Sequence, residues 1–135
     1  MGRRIKKDIF KDLNASTKSN DNYGTLFESM AKNKAFQELT TFAKIFYVYC
    51  RIQSQSKVAK ACLYQHGADS GVQYDSNCDF VFPAKHLAEY GIDRRNADKY
   101  FKQLVQAGFI KIREQNDHRH KVNVYSFSDE WKNSS

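Results

Sequence analysis

The chain has 135 residues, 41% of them hydrophobic and 27% charged, with a formal net charge of +7. That length holds one domain with a real core and excludes two ordinary ones. The excess of cations favours polyanionic partners, and an odd set of widely spaced cysteines, Cys50, Cys62 and Cys78, excludes a disulfide framework.

The opening, MGRRIKKDIF, is basic, lacks the apolar run of a secretory signal, and has Lys6 where a myristoylation motif carries Ser or Thr. No stretch approaches the roughly 20 apolar residues that span a bilayer. A cytoplasmic protein with no membrane partner is expected. Ile5, Ile9 and Leu13 stand four apart among Arg3, Arg4, Lys6, Lys7 and Lys11, the pattern of a short amphipathic helix. NASTKSNDNYG, residues 14–24, is rich in turn formers and reads as a linker. Residues 1–24 are therefore expected to be a basic arm and linker outside a domain spanning 25–135.

Thr25 and Glu28 fit a capping box, which starts a short helix near Leu26. Thr40 is a second N-cap, before Phe42, Ile45, Phe46, Tyr49 and Ile52, whose spacing predicts the core face of a helix. KVAKACLYQH, residues 57–66, predicts another helix, stopped by Gly67. A loop then leads to a β-prone run from Asp79 to Phe82, ended by Pro83, the only proline and suited to the first turn of a following helix. Ten Phe and eight Tyr point to a core of large rings. Cys50 and Cys62, among apolar residues on expected helices, read as small buried hydrophobes. Cys62 and His66 share i, i+4 spacing, and His118 and His120 lie close together, but no complete set of zinc ligands is present. No metal and no other cofactor is expected.

The segment after Pro83 carries the functional signal. A helix from Ala84 to Tyr90 would bury Leu87 and Ala88. Gly91 allows a left-handed stop, Ile92 plugs the angle, and Asp93 caps the next helix. That helix runs to about Ala107 and sets Ala97, Phe101, Leu104 and Val105 on its core side. Arg95, Lys99, Lys102, Gln103 and Gln106 gather opposite, with Arg94 and Asn96 near its start. Arg and Lys suit guanine edges and phosphates, and Gln can bind adenine through two bonds. Many exposed helix faces carry such residues with no ligand, so the sequel matters. Gly108 ends the helix, residues 109–113 and 122–127 alternate as two strands, and between them lies a loop holding His118, Arg119, His120 and Lys121. Arg113 closes the first strand, and Glu114 and Asp117 flank the loop and shape the hairpin. Trp131, in SDEWK, is expected to pack at the domain's edge.

LAEYGIDRRNADKYFKQLVQAGFIKI followed by the basic loop and NVYSFS resembles a winged helix-turn-helix domain. The wider arrangement, with AFQELTTFAKIFYVY, FVFPAKHL and a closing NVYSFSDEW, is similar to small proteins of Gram-positive phages, plasmids and conjugative elements. The resemblance implies a mainly α fold with a small antiparallel β-hairpin, and a role in replication, transfer or transcription regulation of a mobile element. The expected partner is double-stranded DNA, bound sequence-specifically by Arg94, Arg95, Asn96, Lys99, Lys102, Gln103 and Gln106 of the helix. Arg113, His118, Arg119, His120 and Lys121 would hold it from the wing. A homodimer or other proteins of a nucleoprotein complex are further partners. The alternative is a winged-helix module for protein interaction or dimerisation without direct DNA contact. With no Gly-rich phosphate loop and no nucleophile motif, no enzymatic activity is expected.

Overall fold

Two one-turn helices, α1 (Glu28–Ala31) and α2 (Lys34–Gln37), lead into the long helices α3 (Thr41–Gln55) and α4 (Lys57–Ser70). Strand β1 (Asp79–Val81), helices α5 (Ala84–Glu89) and α6 (Arg94–Gln106), strands β2 (Ile110–Glu114) and β3 (Val124–Phe127), and a 3-10 turn (Glu130–Asn133) complete the order. The structure is a computed structural model that describes residues 22–24, 26–115 and 122–133. The fold is mainly helical with one small antiparallel sheet, in which the order is β1-β3-β2. The run at Asp79 thus becomes a third strand beside the expected hairpin, pairing Phe80 with Tyr125 and Val81 with Val124.

The sheet is covered on both sides, and its alternation shows how. Residues two apart on a strand share a face. Phe80, Tyr125 and Ile110 enter the main core with α3 and α6, with Phe127 packed against it, whereas Val81 and Val124 meet Leu63 of α4 on the other side. The main core is a web of rings. Phe46 of α3 meets Phe101 of α6 edge-on at 4.8 Å, and Phe101 stacks on Tyr125 of β3 at 3.8 Å. Trp131 is buried in the 3-10 turn and stacks on Phe109 at 5.7 Å, closing the edge as expected.

Four local expectations are corrected. Helix α1 starts at Glu28 rather than near Leu26, with Phe27 at the cap and no side-chain bond to it. The Glu28 carboxylate accepts from Lys32 at 2.6 Å instead of reaching back to the chain, and Thr25 lies outside the described residues. The core face of α3 is Ala43, Phe46, Tyr47, Cys50 and Gln53, so the anticipated stripe is rotated and shares only Phe46 with it. This helix is apolar on nearly every side, so periodicity alone could not choose the face. Gln53 is admitted to the interior because its amide donates to the Val81 carbonyl at 3.1 Å and meets His86 Nδ1 at 2.8 Å. Helix α4 runs through Gly67 to Ser70 and ends at Gly71, which has φ +72°. Gly67 is a packing glycine: a Cβ there would lie 2.6 Å from the Val72 carbonyl oxygen. Finally, α5 buries Leu87 but leaves Ala88 exposed.

The caps around α6 are as expected. The Gly91 N–H donates to the Ala88 carbonyl and the Ile92 N–H to the Leu87 carbonyl, a double closure that ends α5. The same pair of bonds recurs at Gly108 and Phe109, toward Val105 and Leu104. Gly91 has φ +74° in open space, whereas a Cβ on Gly108, at φ +87°, would stand 2.8 Å from the Trp131 nitrogen. Gly91→Ala is expected to cost about 1–2 kcal/mol, the strain of a left-handed non-glycine residue. Gly108→Ala adds a backbone collision and should cost about 1–3 kcal/mol more. Urea unfolding midpoints measure both, and equal losses would contradict the close approach at Trp131.

Candidate nucleic-acid interface

Helix α6 is held at both ends and along its inner face. The Asp93 carboxylate accepts from the Asn96 N–H at 2.8 Å, and Ala97, Phe101 and Leu104 are buried. On the α3 side, Tyr100 stacks on Phe42 at 6.4 Å, and the Gln103 Oε1 accepts from the Thr40 N–H and hydroxyl at 3.3 and 3.1 Å. The Thr40 hydroxyl also accepts from the Ala43 N–H, so one side chain caps α3 and anchors α6.

The remaining surface of α6 is cationic. Arg94, Arg95, Lys99, Lys102 and Gln106 are all exposed. Arg94, Asp98, Lys102 and Gln106 line a groove of about 520 Å³ between the helix and the hairpin, whose far wall includes Ile112, Gln115, Asn123 and Tyr125. Gln115 and Asn123 flank the loop at its root. The loop residues His118, Arg119, His120 and Lys121, assigned to the wing contact, lie outside the described residues, as does Asp117.

Three of the expected contacts are engaged elsewhere. The Asn96 side chain donates to Asp93 at 3.3 Å and so belongs to the cap. Gln103 spends its carbonyl oxygen on Thr40, and a two-bond contact with adenine needs that oxygen free. Arg113 turns to the α4 side of the sheet. There its guanidinium donates to Asp79 at 2.9 Å and lies 5.6 Å from the Tyr74 ring centre. Strand alternation puts it there: Ile110 and Ile112 pair with Phe127 and Tyr125 on the α6 side, so Arg113 falls on the other, and the register shift between Ile112 and Glu114 lets Glu114 pair with Val124 on that same side. A bulge bends its strand and re-aims side chains. Glu114 faces the same side and shapes the hairpin root, accepting from the Tyr74 hydroxyl and facing His66 Nε2 at 3.1 Å.

This cluster is what sequence reasoning missed. The one available signal was an acid, Asp79, inside an apolar strand run. Its side chain is fully buried beside Arg113, which is 38% exposed. Cys50 is buried, its thiol pushed well up by that burial, whereas Cys62 and Cys78 are only partly covered. Among the described residues no group of three or more His, Cys, Asp and Glu side chains is placed to hold a metal ion. Nor, among the described residues, is any helix long and apolar enough to cross a membrane.

No family model matches the chain, and comparison with curated proteins and with solved structures gives no match.

Two stability effects follow from the cluster. Arg113→Ala leaves the Asp79 carboxylate buried without its cation, a loss of ~3–5 kcal/mol for a fully buried pair. The solvated edge of Arg113 lowers this to about 2–3 kcal/mol, against less than about 0.5 kcal/mol for Lys102→Ala. Equal unfolding midpoints for the two variants would refute the role of Arg113. The Tyr74 phenol is pushed up from 10 to about 12, first by burial and then by its bond to Glu114. The folded state therefore holds this proton more tightly than the unfolded chain. Its contribution is complete below pH 10 and is lost as the pH rises towards 12. Tyr74→Phe is expected to flatten the fall of stability across that window. An unchanged slope would mean that the phenol is in water.

Proposed function

We propose that this protein is a winged helix-turn-helix that binds double-stranded DNA sequence-specifically and acts by binding, without catalysis. The observation that carries this reading is the exposed cationic face of α6, set beside a hairpin whose loop contains Arg119 and Lys121. The element order supports it: α5, a tight turn at Gly91, α6, then β2 and β3, with β1 closing the sheet. A 13-residue helix is about 20 Å long, and a major groove about 12 Å wide accepts it. In this reading Arg95, Lys99, Lys102 and Gln106 enter or border the groove, and Arg94 meets the backbone beside the hairpin. The loop cations Arg119 and Lys121, with His118 and His120, hold the phosphates alongside. The process served is replication, transfer or regulation of a mobile element in the cytoplasm, as the resemblance to such proteins implies.

The test is binding to fragments selected from a random DNA pool, titrated against salt. Arg95→Ala with Lys99→Ala should keep the fold and weaken affinity by about 1–3 kcal/mol for each base-reading side chain removed. Arg119→Ala with Lys121→Ala should weaken all sequences alike and flatten the salt slope by about 0.9 for each phosphate that is no longer neutralised. A folded helix variant with full affinity would sink the assignment. Binding that ignores salt would favour the rival reading, a protein-interaction module that does not touch DNA.

A further inference from the structure

Helix α3 has a second apolar side. Away from its core face, Ile45 is 42% exposed and Val48 and Ile52 are half-buried, and beside them Phe42, 67% exposed, and the half-buried Tyr49 reach toward Tyr100 and Tyr90. The two cations in this stretch are drawn off that side. Lys44 leans to the Phe36 ring at 5.9 Å. Arg51 lies over Phe127 at 3.7 Å and donates to the Tyr47 hydroxyl at 2.7 Å. The outer stripe of α3 therefore carries no charge. The segment before α1 extends it: Gly24 presses on Val48 and Ile52, and its neighbours Tyr23, Leu26 and Phe27 are exposed. A helix apolar beyond the face its core needs has a second surface that favours cover.

From this stripe we infer that the protein forms a homodimer through the outer face of α3. Charge selects the occupant. A nucleic acid needs cations, and the stripe has none. Across a two-fold axis a patch meets itself, so any charge on it would face its own sign. In a chain of net charge +7, an uncharged stripe is the kind of surface on which two copies can meet without that repulsion. The area is adequate. The exposed rings and branched side chains offer on the order of 500 Å² per copy, since a large aromatic alone buries about 150–250 Å². Two copies then bury about 1,000 Å², at the lower end of what a specific contact requires. The dimer is accordingly expected to be reversible. The inference stands without DNA binding. If α6 does bind DNA, two copies joined through α3 present two α6 helices in fixed relation, because α3 carries α6 through Phe42–Tyr100 and Phe46–Phe101.

Sedimentation of the full chain without DNA tests the inference. A monomer–dimer equilibrium is expected, and salt should tighten it by screening the repulsion between two basic copies, the opposite sign to DNA binding. Ile45→Glu and Ile45→Lys should each weaken the dimer at least roughly 100-fold, because like charges meet across the axis. An equimolar mixture of the two should dimerise again. Circular dichroism checks that both variants stay folded, and recovery in the mixture excludes simple misfolding. A wild-type chain that stays monomeric to its solubility limit overturns the proposal, as does a dimer that survives both substitutions. Monomeric behaviour combined with a loss of stability in Ile5→Ser and Ile9→Ser would also overturn it, by assigning the stripe to the chain's own first residues.

Discussion

The contact on which the rest depends is the ring stack that runs from α3 through α6 into the sheet. Phe46 meets Phe101 edge-on, and Phe101 lies flat on Tyr125 with 4° between the planes. Each such pair adds about 0.5–1.5 kcal/mol beyond the apolar area it buries. More important is where the pairs lie. They tie the middle of α6 to both of its neighbours, and the Asp93 cap and the Gly108 closure hold its ends. A helix pinned along its inner face does not need its outer face for stability. That side is free to collect like charges which would otherwise weaken a marginal helix.

The sheet also separates charge by sign. On the α4 side the acids of β1 and of the hairpin root have partners: Asp79 pairs with the Arg113 guanidinium, and Glu114 accepts from the Tyr74 hydroxyl and faces His66. On the α6 side the groove beside the hairpin is lined by Arg94 and Lys102, with Asp98 as the acid facing them. The bulge in β2 contributes to this division, because it aims Glu114 toward α4 together with Arg113. Regular alternation alone brings Arg113 to Asp79; without the bulge Glu114 would instead turn to the α6 side, away from Tyr74 and His66. The hairpin root is thus held by side-chain bonds on the α4 side, while the α6 side borders an open groove.

The apolar excess of α3 has the same character. A core helix needs one apolar face, and Ala43, Phe46, Tyr47 and Cys50 supply it. Phe42 and Ile45 lie outside that requirement and stay exposed, Phe42 with one face on Tyr100. The cations of α6 and the apolar side chains of α3 are therefore separate sets, although Phe42 and Tyr100 join the two helices. In the proposed reading one meets a polyanion and the other a second copy, and neither draws on the other's side chains.

Local chemistry was legible in the sequence. Thr40, Asp93, Gly91 and Gly108 were identifiable as caps and stops because each acts on residues within five positions of itself. The cationic side of α6 was legible for a related reason: its apolar residues leave one stripe, so 3.6-residue periodicity names the opposite face without ambiguity. Helix α3 offered no such contrast, and only packing against Phe82, Phe101 and Phe109 decided which of its apolar sides turned inward. The partners of Gln103, Arg113 and Glu114 were equally beyond reach. Thr40 is 63 residues from Gln103, Asp79 is 34 from Arg113, and His66 is 48 from Glu114. A side chain's type states which bonds it can make. Which group stands within hydrogen-bonding reach of it is settled only when distant segments are folded against one another.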